Sequence, residues 1–206
     1  MSTRGLIGFR QDGRFQATYN HCDSYPSWLG KKVVEFVKER LLSPEGLAAF
    51  RKNLAAVIWV DSDGKPSAKD VRYYMKSAKE RDESWKALNT LGSARMKTEW
   101  YALLRDWQGI QTLEGIADGQ LRHLPESVSF IQDSLFCEYA YLLDLDRNVL
   151  EFWEGFQRSP QEGNPFGASR IGEYYPCAKV GEVAFAEASF ESLNRAFALE
   201  GEAAVA

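Results

Sequence analysis

The spacing of apolar and polar residues is strand-like at both ends of the chain and helix-like between them. Residues 6–10 form a short apolar run. Gln11-Asp12-Gly13 follows, and an Asp-Gly pair favours a tight hairpin turn because both residues tolerate positive φ. From Phe15 to His21 the pattern alternates, with Phe15, Ala17, Tyr19 and His21 on one face and Gln16, Thr18, Asn20 and Cys22 on the other. A two-stranded hairpin therefore opens the fold. Leu29, Val33, Val37 and Leu41 then recur every four residues, which predicts a helix over 28–42 with Ser27 as its cap. Ser43-Pro44-Glu45 starts a second helix running towards Leu54. The β-branched residues 56–60 read as a buried strand or as the end of that helix.

Residues 67–120 are helix-like and heavily charged. Ser67 can cap a helix over 68–79, and 84–91, 98–107 and 113–119 are further candidates. Trp100, Leu103, Leu104 and Trp107 share one helical face. Lys76, Lys79, Arg81, Lys86, Arg95 and Lys97 make the stretch locally basic, which reads as a solvated face. Strand character returns at 138–144 and 149–154, on either side of an Asp146-Arg147-Asn148 loop. Residues 155–172 contain four glycines and two prolines and should be irregular. Residues 178–185 form another strand. Ser189 caps a last helix with Phe190, Leu193 and Phe197 inward, and the tail from 200 should fray. The expected fold is a single α+β domain: an antiparallel sheet with helices packed on it and a helical insertion at about 65–125.

Composition narrows the function classes. The chain has 206 residues, 45% hydrophobic and 13% aromatic, enough apolar material for one core. A net charge of −4 argues against general nucleic-acid binding, which calls for a basic excess. No apolar run approaches membrane-spanning length, and the opening residues are too short an apolar run for a signal peptide. The three cysteines, Cys22, Cys137 and Cys177, are odd in number and lack a CxxC pair. Reduced thiols in a cytoplasm are the expectation. With two histidines, His21 and His123, no metal-site spacing arises, and no cofactor is expected.

The densest polar constellation is Tyr19-Asn20-His21-Cys22-Asp23-Ser24-Tyr25-Pro26, where a strand runs out into a loop before a helix. Such positions hold functional side chains on a rigid scaffold; the plainer alternative is an Asx turn and a helix cap. Alternation sends His21 and Cys22 to opposite faces, so the two neighbours are poorly placed to form a nucleophile–base dyad. The N-terminus offers a second chemistry. Removal of Met1 would expose Ser2, whose α-amine could act as base for its own hydroxyl, as in N-terminal-nucleophile hydrolases.

The pairing of Thr3-Arg4-x-Leu6-Ile7 with Tyr19-x-His21-x-Asp23-x-Tyr25-Pro26-x-x-x-Gly30 resembles a family from bacteriophages, actinobacteria and fungi to which no activity is assigned. Its members open with a Thr-Arg strand and carry an Asp-Gly-Tyr-Pro loop closed by glycine; here Ser24 stands at the loop glycine. Cys137-Glu138-Tyr139-Ala140-Tyr141 and Leu143-Asp144-Leu145-Asp146 resemble the family's C-terminal hairpin. The resemblance implies a phage-type context, in which small proteins bind a nucleotide-derived host defence signal without cleaving it. Such a pocket needs a cation for phosphate and aromatic faces for bases. Arg4, Tyr19, Asn20, His21, Asp23 and Tyr25 are of the right types, and they are the expected ligand-binding residues. The alternatives are an N-terminal-nucleophile-like amidohydrolase and an inhibitor that docks on a host factor through the surface near Trp100 and Trp107. The oligomeric state is open, a homo-oligomer included.

Overall fold

The Asp12-Gly13 turn forms as its sequence predicts, with φ of 53° and 71°. It folds β1 (Gly5–Gln11) back on β2 (Arg14–Asn20), with Gln11 opposite Arg14. The computed structural model describes residues 2–81 and 98–199. The expected helix at 84–91, most of the basic stretch and the tail from 200 lie outside the described residues.

Helix α1 (Lys31–Phe36) is the middle of a continuous helical run that opens with a π turn at Pro26–Gly30 and closes with another at Val37–Leu41. Pro26, not Ser27, starts it. Proline at the first helical position has no N–H left to cap, and Tyr25 before it is extended. Leu29, Val33, Val37 and Leu41 are all buried, as their spacing requires. Ser43 caps α2 (Pro44–Ala55) by accepting from the Gly46 N–H at 3.0 Å. Residues 58–60 form the short strand β3 (Ile58–Val60), which is not buried as expected: Ile58 is 57% exposed and Trp59 and Val60 are half-buried. Ser67 accepts from the Asp70 N–H at 3.2 Å and caps α3 (Ala68–Arg81). Helix α4 (Trp100–Leu103) continues into a 3₁₀ turn at Arg105–Trp107, and α5 (Ile110–Ala117) follows. Strand β4 (His123–Pro125) then pairs in parallel with β3.

The chain closes with β5 (Tyr139–Asp144), β6 (Val149–Glu154), β7 (Ala178–Ala184) and α6 (Phe190–Ala196). The main sheet has the order β2-β1-β5-β6-β7, so the opening and closing hairpins share one sheet. Three of its ladders are antiparallel, and the β1–β5 ladder is parallel. A parallel neighbour needs a long crossover, and the whole helical region between β2 and β5 supplies it. The two hairpin ends are tied together: Asp146 accepts from the backbone N–H groups of Asp12 and Gly13 at 2.8 and 2.9 Å, which lowers its pKa.

Alternation divides the core into two layers. Ile7, Phe9, Tyr141, Leu143 and Phe152 face the helices. Leu6, Ala17, Ala140, Leu142 and Trp153 face the opposite side, where the irregular segment after β6 brings Phe166 against them. Burial on both faces explains why β5 reads as a continuous apolar run. Ser189 forms a capping box with Ser192, and Leu193 and Phe197 are buried as expected. Phe190 is not. It is 42% exposed beneath the Lys31 ammonium.

Candidate functional site

A cleft of about 470 Å³ lies beside the outer edge of β2. Tyr19 and Phe130, packed against each other, line it together with Tyr101 and Trp107 of its roof. The Tyr19 ring centroid is 5.1 Å from that of Phe130, nearly edge-on, and 6.2 Å from that of Tyr101. The roof is held by backbone bonds: the Tyr101 N–H donates to the Ser62 carbonyl at 2.9 Å, and the Trp100 N–H to the Gly64 carbonyl at 3.0 Å. Gly115 gives Trp107 its room, since a Cβ there would stand 2.3 Å from the indole. Ser62, Gln108, Glu126, Ser127, Gln132 and Asp133 supply the polar lining. Burial and the adjacent Tyr101 raise the pKa of Tyr19, so it faces the cleft as a neutral phenol.

A second cleft of about 290 Å³ adjoins the first. Asn20 at the end of β2 and His21, Cys22 and Asp23 of the following loop line it, together with Lys32 and Arg105. Gln108 lines both clefts, and its Oε1 accepts the His21 N–H at 2.8 Å. The Tyr19 hydroxyl lies 3.2 Å from His21 Nδ1, which ties the two clefts together.

The loop that builds this junction is anchored from below. Asp23 takes a φ of 56°, a conformation that short polar side chains tolerate. Ser24 is fully buried; its N–H donates to the Thr3 carbonyl, and its Oγ accepts from Asn20 Nδ2 at 2.7 Å. The Tyr141 hydroxyl donates to the Ser24 carbonyl at 2.8 Å. A Cβ on Gly30 would stand 2.9 Å from that hydroxyl.

The expected site residues divide into three sets. Tyr19 lines the first cleft, and Asn20, His21 and Asp23 line the second. Arg4 and Tyr25 line neither. Arg4 stacks on Phe136 at 5.2 Å, and its N–H donates to Glu138. The Ser2 hydroxyl donates to the His21 carbonyl. Cys22 is an exposed residue, yet partial desolvation of its thiol, followed by the neighbouring Asp23, raises its pKa, which disfavours the thiolate a nucleophile needs. Cys137 and Cys177 are buried core thiols. Trp100 and Trp107 are 7% and 3% exposed, so they form core rather than an exposed docking surface. Among the described residues, no cluster of three or more His, Cys, Asp or Glu side chains could hold a metal ion. No described helix is long and apolar enough to cross a membrane. No family model, curated protein or solved structure matches the chain. The site's meaning therefore rests on its own chemistry.

His123 locks the scaffold behind the first cleft. The Tyr74 hydroxyl accepts from the backbone N–H groups of Arg122 and His123, both at 2.9 Å. With both lone pairs used, its proton goes to His123 Nδ1 at 3.2 Å. The imidazole is thus held neutral, stacked on Trp100 at 4.4 Å, with Nε2 4.0 Å from Asp70. Burial lowers its pKa against the opposing pull of Asp70, with Arg122 adding to the lowering. The unfolded chain, titrating near 6.5, then binds the proton more readily than the folded one, so stability falls as pH drops below about 6.5. Once pH passes the folded pKa, no further loss arises from this group. Urea unfolding of wild type and His123→Gln across that range should show the variant with a flatter profile; equal slopes would remove His123 as the source.

Proposed function

We propose that this protein binds a nucleotide-derived small molecule and holds it without chemical change. The observation that carries this reading is the aromatic cleft beside β2. Tyr19, Tyr101 and Phe130, backed by the largely buried Trp107, line a cleft of about 470 Å³, and hydroxyl, amide and carboxylate groups among the lining residues offer partners to the edge of a base. Binding without turnover is supported by the state of the potential nucleophiles. The Ser2 hydroxyl donates to the His21 carbonyl, and desolvation together with Asp23 raises the pKa of the Cys22 thiol, which disfavours its thiolate. In the phage-type context that the sequence resemblance implies, such a protein would sequester a host defence signal.

Calorimetric titration with nucleosides, nucleotides and cyclic nucleotides tests the reading. Saturable one-to-one binding of at least one ring-bearing compound is expected, with the compound recovered intact by chromatography. Binding of none would refute the cleft as a nucleotide site. Ser2→Ala should bind with unchanged affinity, because the serine lies outside both clefts. Loss of function in a folded Ser2→Ala protein would instead favour an N-terminal-nucleophile hydrolase.

A further inference from the structure

The second cleft contains an unused acceptor that the first cleft does not explain. Asn20 is 5% exposed, and its Nδ2 donates to the Cys22 carbonyl and to Ser24 Oγ. Among the described residues, its Oδ1 receives no hydrogen bond. The oxygen lies beside Gly109, another residue of the cleft lining, where a Cβ would stand 3.1 Å from it, so it is an acceptor that a donor in the cleft can use. In the same lining, neither Lys32 nor Arg105 forms an ion pair among the described residues, and Lys32 rests over the Trp28 ring at 4.3 Å. Gln108 uses its oxygen on the His21 N–H, which leaves its amide N–H₂ for whatever spans the two clefts.

We infer that the second cleft is a sugar-phosphate subsite. This rests on the reading of the first cleft as the ring site and names the rest of the ligand: a nucleoside carrying a phosphate ester. The phosphate is held by Lys32 and Arg105, the latter suited to a planar two-point contact. The sugar hydroxyls donate to Asn20 Oδ1 and to the Asp23 carboxylate. The expected cation Arg4, stacked on Phe136, is replaced in this role. Asp23 and Asp106 also line the cleft, so it is no general anion trap. Their negative charge works against inorganic phosphate, whereas a hydroxyl-bearing ester satisfies acceptors and cations together.

The test is calorimetric titration of the full chain with matched nucleosides, nucleoside 5′-monophosphates, ribose 5-phosphate and inorganic phosphate. The monophosphate should bind about tenfold or more tighter than its nucleoside, since charge-assisted hydrogen bonds are at stake. That advantage should shrink with added salt. Ribose 5-phosphate should compete with the monophosphate at concentrations where inorganic phosphate does not. In Lys32→Ala/Arg105→Ala, the monophosphate should fall to the affinity of the nucleoside. Both side chains are surface groups, and circular dichroism confirms the fold of the variant. Equal binding of nucleoside and monophosphate to wild type would overturn the subsite while leaving the ring site standing. A phosphate advantage that survives the double replacement would do the same. Competition by inorganic phosphate as strong as by ribose 5-phosphate would overturn the assignment of Asn20 and Asp23. Wild type binding neither nucleoside nor monophosphate would sink the ring site, and the subsite with it.

Discussion

Replacing Tyr101 with alanine is expected to weaken ligand binding roughly ten- to a hundredfold, with little change in stability. Stacking of a base on an aromatic side chain contributes about 1–3 kcal/mol, which converts to that range of affinity. Tyr101 is the roof residue best suited to the test. It is only partly buried, so its ring adds less to the core than Trp107 does. Its N–H bond to the Ser62 carbonyl uses backbone atoms and survives the change. Tyr101→Phe keeps the π-face and should bind nearly as wild type. An alanine variant with wild-type affinity would place the ring elsewhere.

The largest stability effect is expected at Trp153. This side chain is 1% exposed on the sheet face opposite the helices. Its ring meets Phe166 at 5.0 Å, and its Nε1 donates to Glu151 Oε2 at 3.1 Å. Trp153→Ala removes the platform on which the segment after β6 rests, and it takes a donor from a carboxylate that is 4% exposed. The Glu151 carboxylate keeps Arg147 at 2.7 Å, so its charge stays paired. Cavity formation at a buried aromatic costs roughly 3–5 kcal/mol, a drop in melting temperature on the order of 10 °C for a chain of this size. Trp153→Phe should cost less, because it retains most of the packing. Calorimetric melting of the two variants checks both statements, and a Trp153→Ala protein that melts with wild type would contradict the two-layer core.

The sheet was legible wherever a face is buried. Alternation from Phe15 to His21 and the doubly buried run of β5 both carry their period in the residue types. The caps at Ser43, Ser67 and Ser189 follow from local chemistry that needs no tertiary partner. The parallel pairing of β1 with β5 carries no such signal, because it depends on where a crossover of more than a hundred residues returns. Strand β4 escapes detection for a related reason: His123-Leu124-Pro125 is short and ends in proline, which usually argues against a strand. In the candidate site, the segment from Tyr19 to Asp23 that lines the clefts is legible in the sequence as polar density at a strand end, which is a local property. Tyr101, Phe130, Gln108, Lys32 and Arg105 join it only through folding. Arg4 is expected as a phosphate ligand from its charge; that Phe136 lies against it and that it lines neither cleft depends on tertiary contacts the sequence does not carry.

The most direct test of the central claim is one NMR titration that follows the aromatic side-chain resonances of the protein and the proton spectrum of the ligand together. On addition of a nucleoside 5′-monophosphate that binds, the rings of Tyr19, Tyr101, Trp107 and Phe130 should shift and saturate at one equivalent. Rings remote from the cleft, such as Phe36 and Phe50, should stay in place, and the ligand spectrum should stay unchanged over hours. Saturable shifts centred elsewhere, or ligand resonances converting to those of a product, would contradict the account.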